Sequence, residues 1–287
     1  MWQILEDEFP ERISQVKAFR MPHNSGQAKV RLMGISMASG EYVIHCDSDD
    51  MVDPDAYRVL YEKAVIDKLD IVTCDYMLQS KGGGWRILSG ETKEGLNNLL
   101  KYARWSLWTK LVKHSVIERA TVIPASDMGE DMVLSIQYLL SAQRIGHVDR
   151  VCYYYFDCGS SITREPGREA AVARWRSSYC NLKVVIDYLC QFHGYSGNEP
   201  ELVLYKYSVR VHLVPYVNQS YYYHLWLSSF PEINRKFVLV SQIPFETKFW
   251  FVLIYLRLYH PWKKVTGFIR KSFHILKDRY GKGVSQG

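Results

Sequence analysis

The chain has 287 residues, 47% hydrophobic and 23% charged, with a formal charge of +6 at pH 7. That balance excludes a disordered protein, and the length allows one large domain or a domain with an appendage. The charge is uneven: residues 241–287 hold nine Lys or Arg against two acids, a net +7, so residues 1–240 carry −1 and give no reason to expect nucleic acid as a partner.

Met1 is followed by the acidic, amphipathic WQILEDEFPER, which does not read as a secretory leader. Residues 2–9 read as the end of a helix. ISQVKAF (13–19) alternates apolar and polar residues as a strand does. QAKVRLMGISMA (27–38) sets Val30, Met33, Ile35 and Met37 at helical spacing, with Gly40 as the expected C-terminal cap. YVIHC (42–46) is a short β-rich run. DPDAYRVLYEKAVID (53–67) is a predicted helix with Asp53 at its start and Pro54 at its first position. DIVTCDY (70–76) is a further strand and KGGGW (81–85) a turn. EDMVLSIQYLLSA (130–142) is an amphipathic helix with Val133, Ile136, Leu139 and Leu140 on one face, and RIGHVDRVCYYYF (144–156) is again strand-like.

Alternating strands and helices predict an α/β domain over residues 1–165. From Glu169 onward the pattern is helical, so residues 166–287 are expected to form a mainly helical C-terminal region. No apolar run reaches the roughly 20 residues that a bilayer-crossing helix needs. The longest, FWFVLIYL (249–256), ends at Arg257. The six cysteines form no CxxC pair and read as buried reduced thiols of a cytoplasmic protein, with disulfides or a metal site as the other readings.

Five Asp fall in the nine residues 47–55, directly after the YVIHC run. In an extended stretch Asp47 and Asp49 project to the same side. Carboxylates that close repel each other unless a positive charge lies between them, and the natural partner is a hard divalent cation. The end of a strand in an α/β sheet is also where ligands gather. Asp53 and Asp55 read instead as a solvated loop and a helix cap. His45 and His147, both in strands, read as core histidines.

Several segments together resemble the family 2 glycosyltransferases of the GT-A fold. NSGQAKVRLMGISMASGEYVIHCDSDDMVDPDA (24–56) is similar to the family's N-x-G-x-x-x-A-R-N-x-G followed by G-E-Y-hydrophobic-D-S-D-D. WTKLVKHSVI (108–117) resembles its W-x-K-L segment. MGEDMVLSIQYLLSAQRIGHVDRVCYYY (128–155) resembles its G-E-D motif with the helix and strand that follow, and SSIT (160–163) its S-I-T. The resemblance covers about residues 2–165. It implies a GT-A-like (Rossmann-like) mixed sheet flanked by helices.

It also implies roles. Asp47 would sit near the donor ribose, and Asp49 would bind Mg²⁺ or Mn²⁺ at the diphosphate of a nucleotide-sugar, most simply a UDP-sugar. Asp50 would be a supporting residue, and Arg31 would brace the donor. Asp131 would be the general base, taking a proton from an acceptor hydroxyl in an inverting transfer, with Glu130 beside it. Trp108 and Lys110 would flank the acceptor; packing in the core and an ordinary surface charge are the alternatives for that pair. Val30 and Leu32 depart from the family's Ala and Asn, and Phe156 stands where Arg is usual.

The family's opening strand ending in P-x-Y/F-N, its following helix and the second strand are not found before Trp2. The chain therefore reads as a GT-A domain truncated at its amino terminus, with weak or no activity expected of it alone. The tail PWKKVTGFIRKSFHILKDRY (261–280) sets an apolar stripe beside recurring basic pairs, which suits an anionic membrane surface at the inner face of the cell membrane or packing on the main domain. The leading expectation is a metal-dependent glycosyltransferase acting on a saccharide or lipid-linked acceptor in surface polysaccharide or glycolipid assembly. The alternative is an inactive remnant serving as a binding or scaffold subunit. A glycoside hydrolase is disfavoured, because D-S-D-D clustering suits a metal better than separated acid and base roles.

Overall fold

DIVTCDY forms the centre of the sheet in the computed structural model of the chain, which describes residues 2–79, 83–92, 100, 105–156, 166–197, 199–241 and 243–261. The predicted S-I-T segment (160–163) and the basic tail beyond Pro261 lie outside the described residues, as does part of the predicted KGGGW turn. The chain divides into two compact units, Met1–Ser39 and Gly40–Gly287.

The first unit contains α1 (Trp2–Glu8), a 3₁₀ helix (Pro10–Gln15) and α2 (Gln27–Met37). The strand expected over ISQVKAF is not formed. Pro10 opens a helical turn there, since its fixed φ suits a first helical position. None of the described strands pairs with residues 16–19, and an extended segment with no ladder partner leaves its backbone groups to water. Phe19 is accordingly exposed. The cap of α2 is Ala38 rather than Gly40, its N–H bonding Gly34 and Ile35 carbonyls.

The second unit carries a mixed six-stranded sheet: β1 (Tyr42–Val43), β2 (Met51–Val52), β3 (Ile71–Gln79), β4 (Trp85–Leu88), β5 (Lys110–Lys113) and β6 (Ile145–Tyr155). The strand order is β1-β5-β3-β6-β2, and β4 pairs the far half of β3. The β3–β6 pairing is parallel and all others are antiparallel. YVIHC contributes only two residues to the sheet, because β5 pairs Tyr42 and Val43 alone.

Helix α3 (Ala56–Ile66) begins three residues later than predicted. Asp53 and Pro54 instead form the turn before it, with Asp53 Oδ1 accepting the Asp55 N–H at 3.0 Å. The i, i+4, i+8 row Ala56, Leu60 and Ala64 is fully buried against Val72, Cys74, Leu111 and Cys152 of the sheet. A short helix α4 (His114–Ile117) follows β5. Helix α5 (Glu130–Ser141) is buried over most of its circumference, beyond the single face predicted, and Val133 and Ile136 pack with Val185 and Leu189 of α6 (Arg168–His193).

After α6 every described element is helical: α7 (Pro200–Val211), α8 (Ser220–Ser228), α9 (Ile233–Lys236), α10 (Phe245–Tyr255) and short 3₁₀ turns. Trp226, Phe237, Phe251 and Ile254 form their core. Arg210, fully buried, holds it together: it donates to the carbonyls of Leu227, Ser229 and Phe230 and to Asn234 Oδ1, and its guanidinium lies 4.7 Å from the Trp226 ring centroid. The Leu227 carbonyl is one that the last turn of α8 leaves without a helical partner, and Ser229 and Phe230 follow the helix.

Candidate active site

The acidic run is a turn and not the extended stretch expected. The Asp50 N–H reaches back to the Asp47 carbonyl at 3.3 Å, so Asp49 stands at the exposed tip while Asp47 and Asp50 are half-buried. The strand end that delivers the turn is β1; β2 leaves it and returns to the sheet beside β6, pairing Met51 with Tyr154 and Val52 with Tyr153.

That pairing sets the Tyr153 ring under the turn. Its hydroxyl donates to Asp50 Oδ2 at 2.7 Å and accepts the Asp47 N–H at 3.2 Å. The Phe156 N–H donates to the other oxygen, Asp50 Oδ1, at 3.0 Å. Both Asp50 oxygens are thus committed to the protein, which makes it the fastening of the turn. Burial pushes its carboxyl above the usual range, while the Phe156 and Tyr153 hydrogen bonds act against that rise. Burial first, and the Asp50 hydrogen bond second, push the Tyr153 phenol upward. Behind the turn Arg150 bridges Asp53 at 2.8 Å and Asp55 at 3.4 Å.

Trp108, half-buried, stacks on Tyr153 with centroids 4.3 Å apart and planes 15° off parallel. It belongs to a 3₁₀ turn (Leu107–Thr109) that runs into β5. Two residues on, Lys110 is 0% exposed and donates to the Ser106 carbonyl at 2.7 Å, so the surface-charge alternative for it is excluded. Burial lowers its amine to about 7, and the charge of Asp131 is the largest influence in the opposite direction.

Asp131 is half-buried in that first turn, with its Oδ1 accepting the Met132 N–H at 2.8 Å. Glu130 beside it is only 6% exposed. The preceding Gly129 has φ +84, a left-handed conformation that a side chain would strain, which accounts for the Gly of G-E-D here. The loop before it is pinned by the buried Asn181 of α6. Asn181 Oδ1 accepts the Ala125 and Ser126 N–H groups, and its Nδ2 donates to the Ser126 and Met128 carbonyls. The Met128 N–H donates to Ser177 Oγ at 2.8 Å.

The structure therefore puts Asp47, Asp49, Asp50, Trp108, Lys110, Glu130 and Asp131 in the second unit. Arg31 lies in the first, half-buried on α2; with the Gln27 amide turned to accept, Gln27 Oε1 receives its Nε at 3.3 Å. Sequence reasoning missed Tyr153 and Asn181. Tyr153 sits in a run of three tyrosines whose alternation indicates which of them share a face, but nothing local indicates a carboxylate partner. Asn181 inside an amphipathic helix was a weak cue, a polar residue at a buried position.

Residues 1–119 match the family profile described as glycosyl transferase family 2. EpsJ, an uncharacterized glycosyltransferase of Bacillus subtilis, is 26% identical over 191 residues, covering 61% of this chain and 54% of that protein. The cholesterol galactosyltransferase of Borreliella burgdorferi is 28% identical over 179 residues, 55% of this chain and 49% of its own length. The chain spans about half the length of the curated relatives it matches. A structure of S. aureus TarS 1–349 in complex with UDP matches with a TM-score of 0.50 at 16% identity, over 95% of this chain and 79% of that one. At such identity the likeness is one of fold, the GT-A-like mixed sheet with flanking helices.

Proposed function

We propose, for a chain whose residues 1–119 belong to glycosyl transferase family 2, that it moves a sugar from a nucleotide-sugar to a hydroxyl acceptor with inversion at the anomeric carbon. The observation that carries this reading is the placing of the carboxylates in the second unit: the Asp47–Asp50 turn after β1, fastened by Tyr153, and Asp131 in the first turn of α5. These supply the carboxylates that leaving-group and acceptor chemistry need. TarS 1–349, which shares the fold, was solved with UDP, and this supports a UDP-sugar as donor.

In this reading Asp131 accepts the proton of the acceptor hydroxyl as that oxygen attacks the face opposite the departing diphosphate. The helix N-terminus favours its ionised form. Asp47 and Asp49 would hold Mg²⁺ or Mn²⁺. They fit such an ion, because Mg²⁺ typically takes one or two carboxylates and Asp49 is presented to solvent, while both oxygens of Asp50 are occupied. The ion supplies charge neutralisation at the diphosphate. Residues 1–165 are the transferase part and 166–287 the helical part. The acceptor is a saccharide or lipid-linked hydroxyl of a surface polysaccharide or glycolipid.

No helix among the described residues is long and apolar enough to cross a membrane. The exposed Phe245, Phe249, Val252 and Leu256 recur on one side of α10 and its end, immediately before the basic tail, and support peripheral contact with an anionic membrane at its cytoplasmic face.

UDP release from a panel of UDP-sugars with Mn²⁺, with and without acceptors, tests the reading. Asp131→Asn is expected to lower turnover by about 100-fold or more while UDP binding persists. Nucleotide binding with neither hydrolysis nor transfer would leave the scaffold role in its place.

A further inference from the structure

Asp75 of β3 and His147 and Asp149 of β6 converge on one spot, a ligand atom of each lying within 4.8 Å of the others. The sheet register brings them together. Thr73 pairs with His147 and Cys74 with Val148, but Asp75 pairs with Val151, so Asp149 and Arg150 are extra residues in β6. This irregularity bulges β6 and lets Asp149 come beside His147. His147 Nε2 is 3.1 Å from Asp75 Oδ1 and 3.5 Å from Asp149 Oδ1. His147, with its side chain 12% exposed, is thus a largely buried histidine with polar partners.

The other ring nitrogen decides what Nε2 can do. Thr73 Oγ1 lies 3.3 Å from the Gly146 carbonyl and 2.8 Å from His147 Nδ1, so the hydroxyl can give its proton to the carbonyl and accept the Nδ1–H of the ring. In that tautomer the Nε2 lone pair is directed at two carboxylate oxygens, an arrangement that a bound cation selects. Asp75 is also held in place, its Oδ1 accepting the Gly90 N–H at 3.3 Å, and a Cβ at Gly90 would meet the Cys74 carbonyl oxygen at 2.0 Å. A histidine whose far nitrogen is oriented by a hydroxyl, with two carboxylates beside its near nitrogen, is the pattern of a metal ligand set with its outer support.

We propose that Asp75, His147 and Asp149 form a second divalent-metal site, separate from the acidic turn and suited to Zn²⁺ or a similar borderline ion, for which imidazole is a preferred ligand. Its role is structural. It braces the bulge whose next residue, Arg150, bridges Asp53 and Asp55 at the root of the acidic turn. Asp149, with its side chain 99% exposed, closes the site from the solvent side, and water completes the shell.

The test is Zn²⁺ titration of the chelator-stripped full chain by calorimetry, without nucleotide, together with Co²⁺ absorption as a reporter of ligand type. The expected result is a high-affinity ion that raises the melting temperature and is retained in Asp49→Asn. Asp149→Asn and His147→Gln weaken it by about ten-fold or more, and Thr73→Val by about ten-fold. Asp149→Asn alters only an exposed side chain, so its outcome does not depend on tolerance in the core. Absence of Zn²⁺ binding, or binding unchanged in Asp149→Asn and lost in Asp49→Asn, would overturn the site.

Discussion

The Tyr153 hydroxyl bonds both ends of the Asp47–Asp50 turn, giving its proton to the Asp50 carboxylate and taking the Asp47 N–H. The phenol ties the turn to the sheet, together with the Phe156 N–H, while its ring, in a residue 2% exposed, stacks on Trp108. Tyr153→Phe keeps the stacking and removes both hydrogen bonds. A stability loss of about 1–3 kcal/mol is expected from the unpaired Asp50 oxygen and Asp47 N–H. Weaker binding of UDP with Mn²⁺ should accompany it. Urea denaturation and a nucleotide titration check this, and an unchanged nucleotide affinity would remove the turn from the donor site.

Lys110 makes stability depend on pH in a defined window. Its amine is lowered to about 7 in the fold from an ordinary 10.5. Between those values the unfolded chain binds a proton that the folded chain does not, so this residue makes stability rise with pH from about 7 to 10.5; below 7 its cost is constant. Lys110→Met should abolish that rise, which is bounded by about 1.4 kcal/mol per pH unit. Denaturation curves of both proteins across pH 6.5 to 9.5 compare the slopes.

Asn181 acts on the loop that delivers Asp131. Asn181→Leu leaves the Ala125 and Ser126 N–H groups and two carbonyls without their partner. A loss of about 2–4 kcal/mol is expected. A shift of the loop by about 1 Å costs about 100-fold in rate by misplacing a base, so kcat should fall more than KM rises. Equal changes in both would show that the loop serves stability alone.

Arg210 is a stability anchor of the C-terminal helices. Burial lowers its guanidinium to about 9, yet three carbonyls and Asn234 depend on it. Arg210→Met should cost about 3–5 kcal/mol, and Arg210→Lys should recover little, since one ammonium cannot span the fork. Thermal unfolding measures both.

The exposed row on α10 gives a membrane test. Phe245, 83% exposed, is replaced by Glu. Sedimentation with vesicles containing anionic lipid should fall severalfold with the fold intact by circular dichroism. Equal sedimentation would take α10 out of any lipid contact.

Helices α3 and α5 and strands β3 and β6 were legible because their apolar residues recur with the period of the element that buries them. The same logic misled at ISQVKAF, where the alternation is present but no described strand lies alongside to turn it into a ladder. The acidic turn was visible as composition, and its position after β1 followed from the short β-rich run. Its conformation was not visible, since the hydrogen bonds that curl it come from Tyr153 and Phe156, 103 and 106 residues away.

By itself the sequence determined where carboxylates, glycines and apolar faces occur along the chain, and through them the order of elements and the likeness to a family. Only the tertiary structure decided that Lys110 is interior, that Asp50 is a fastening, and that His147 faces two aspartates. Periodicity is a property of neighbouring residues. Burial and the approach of charges are set by which distant strands pair, and in β6 by three extra residues, Asp149, Arg150 and Cys152, that the pairing pushes out of register.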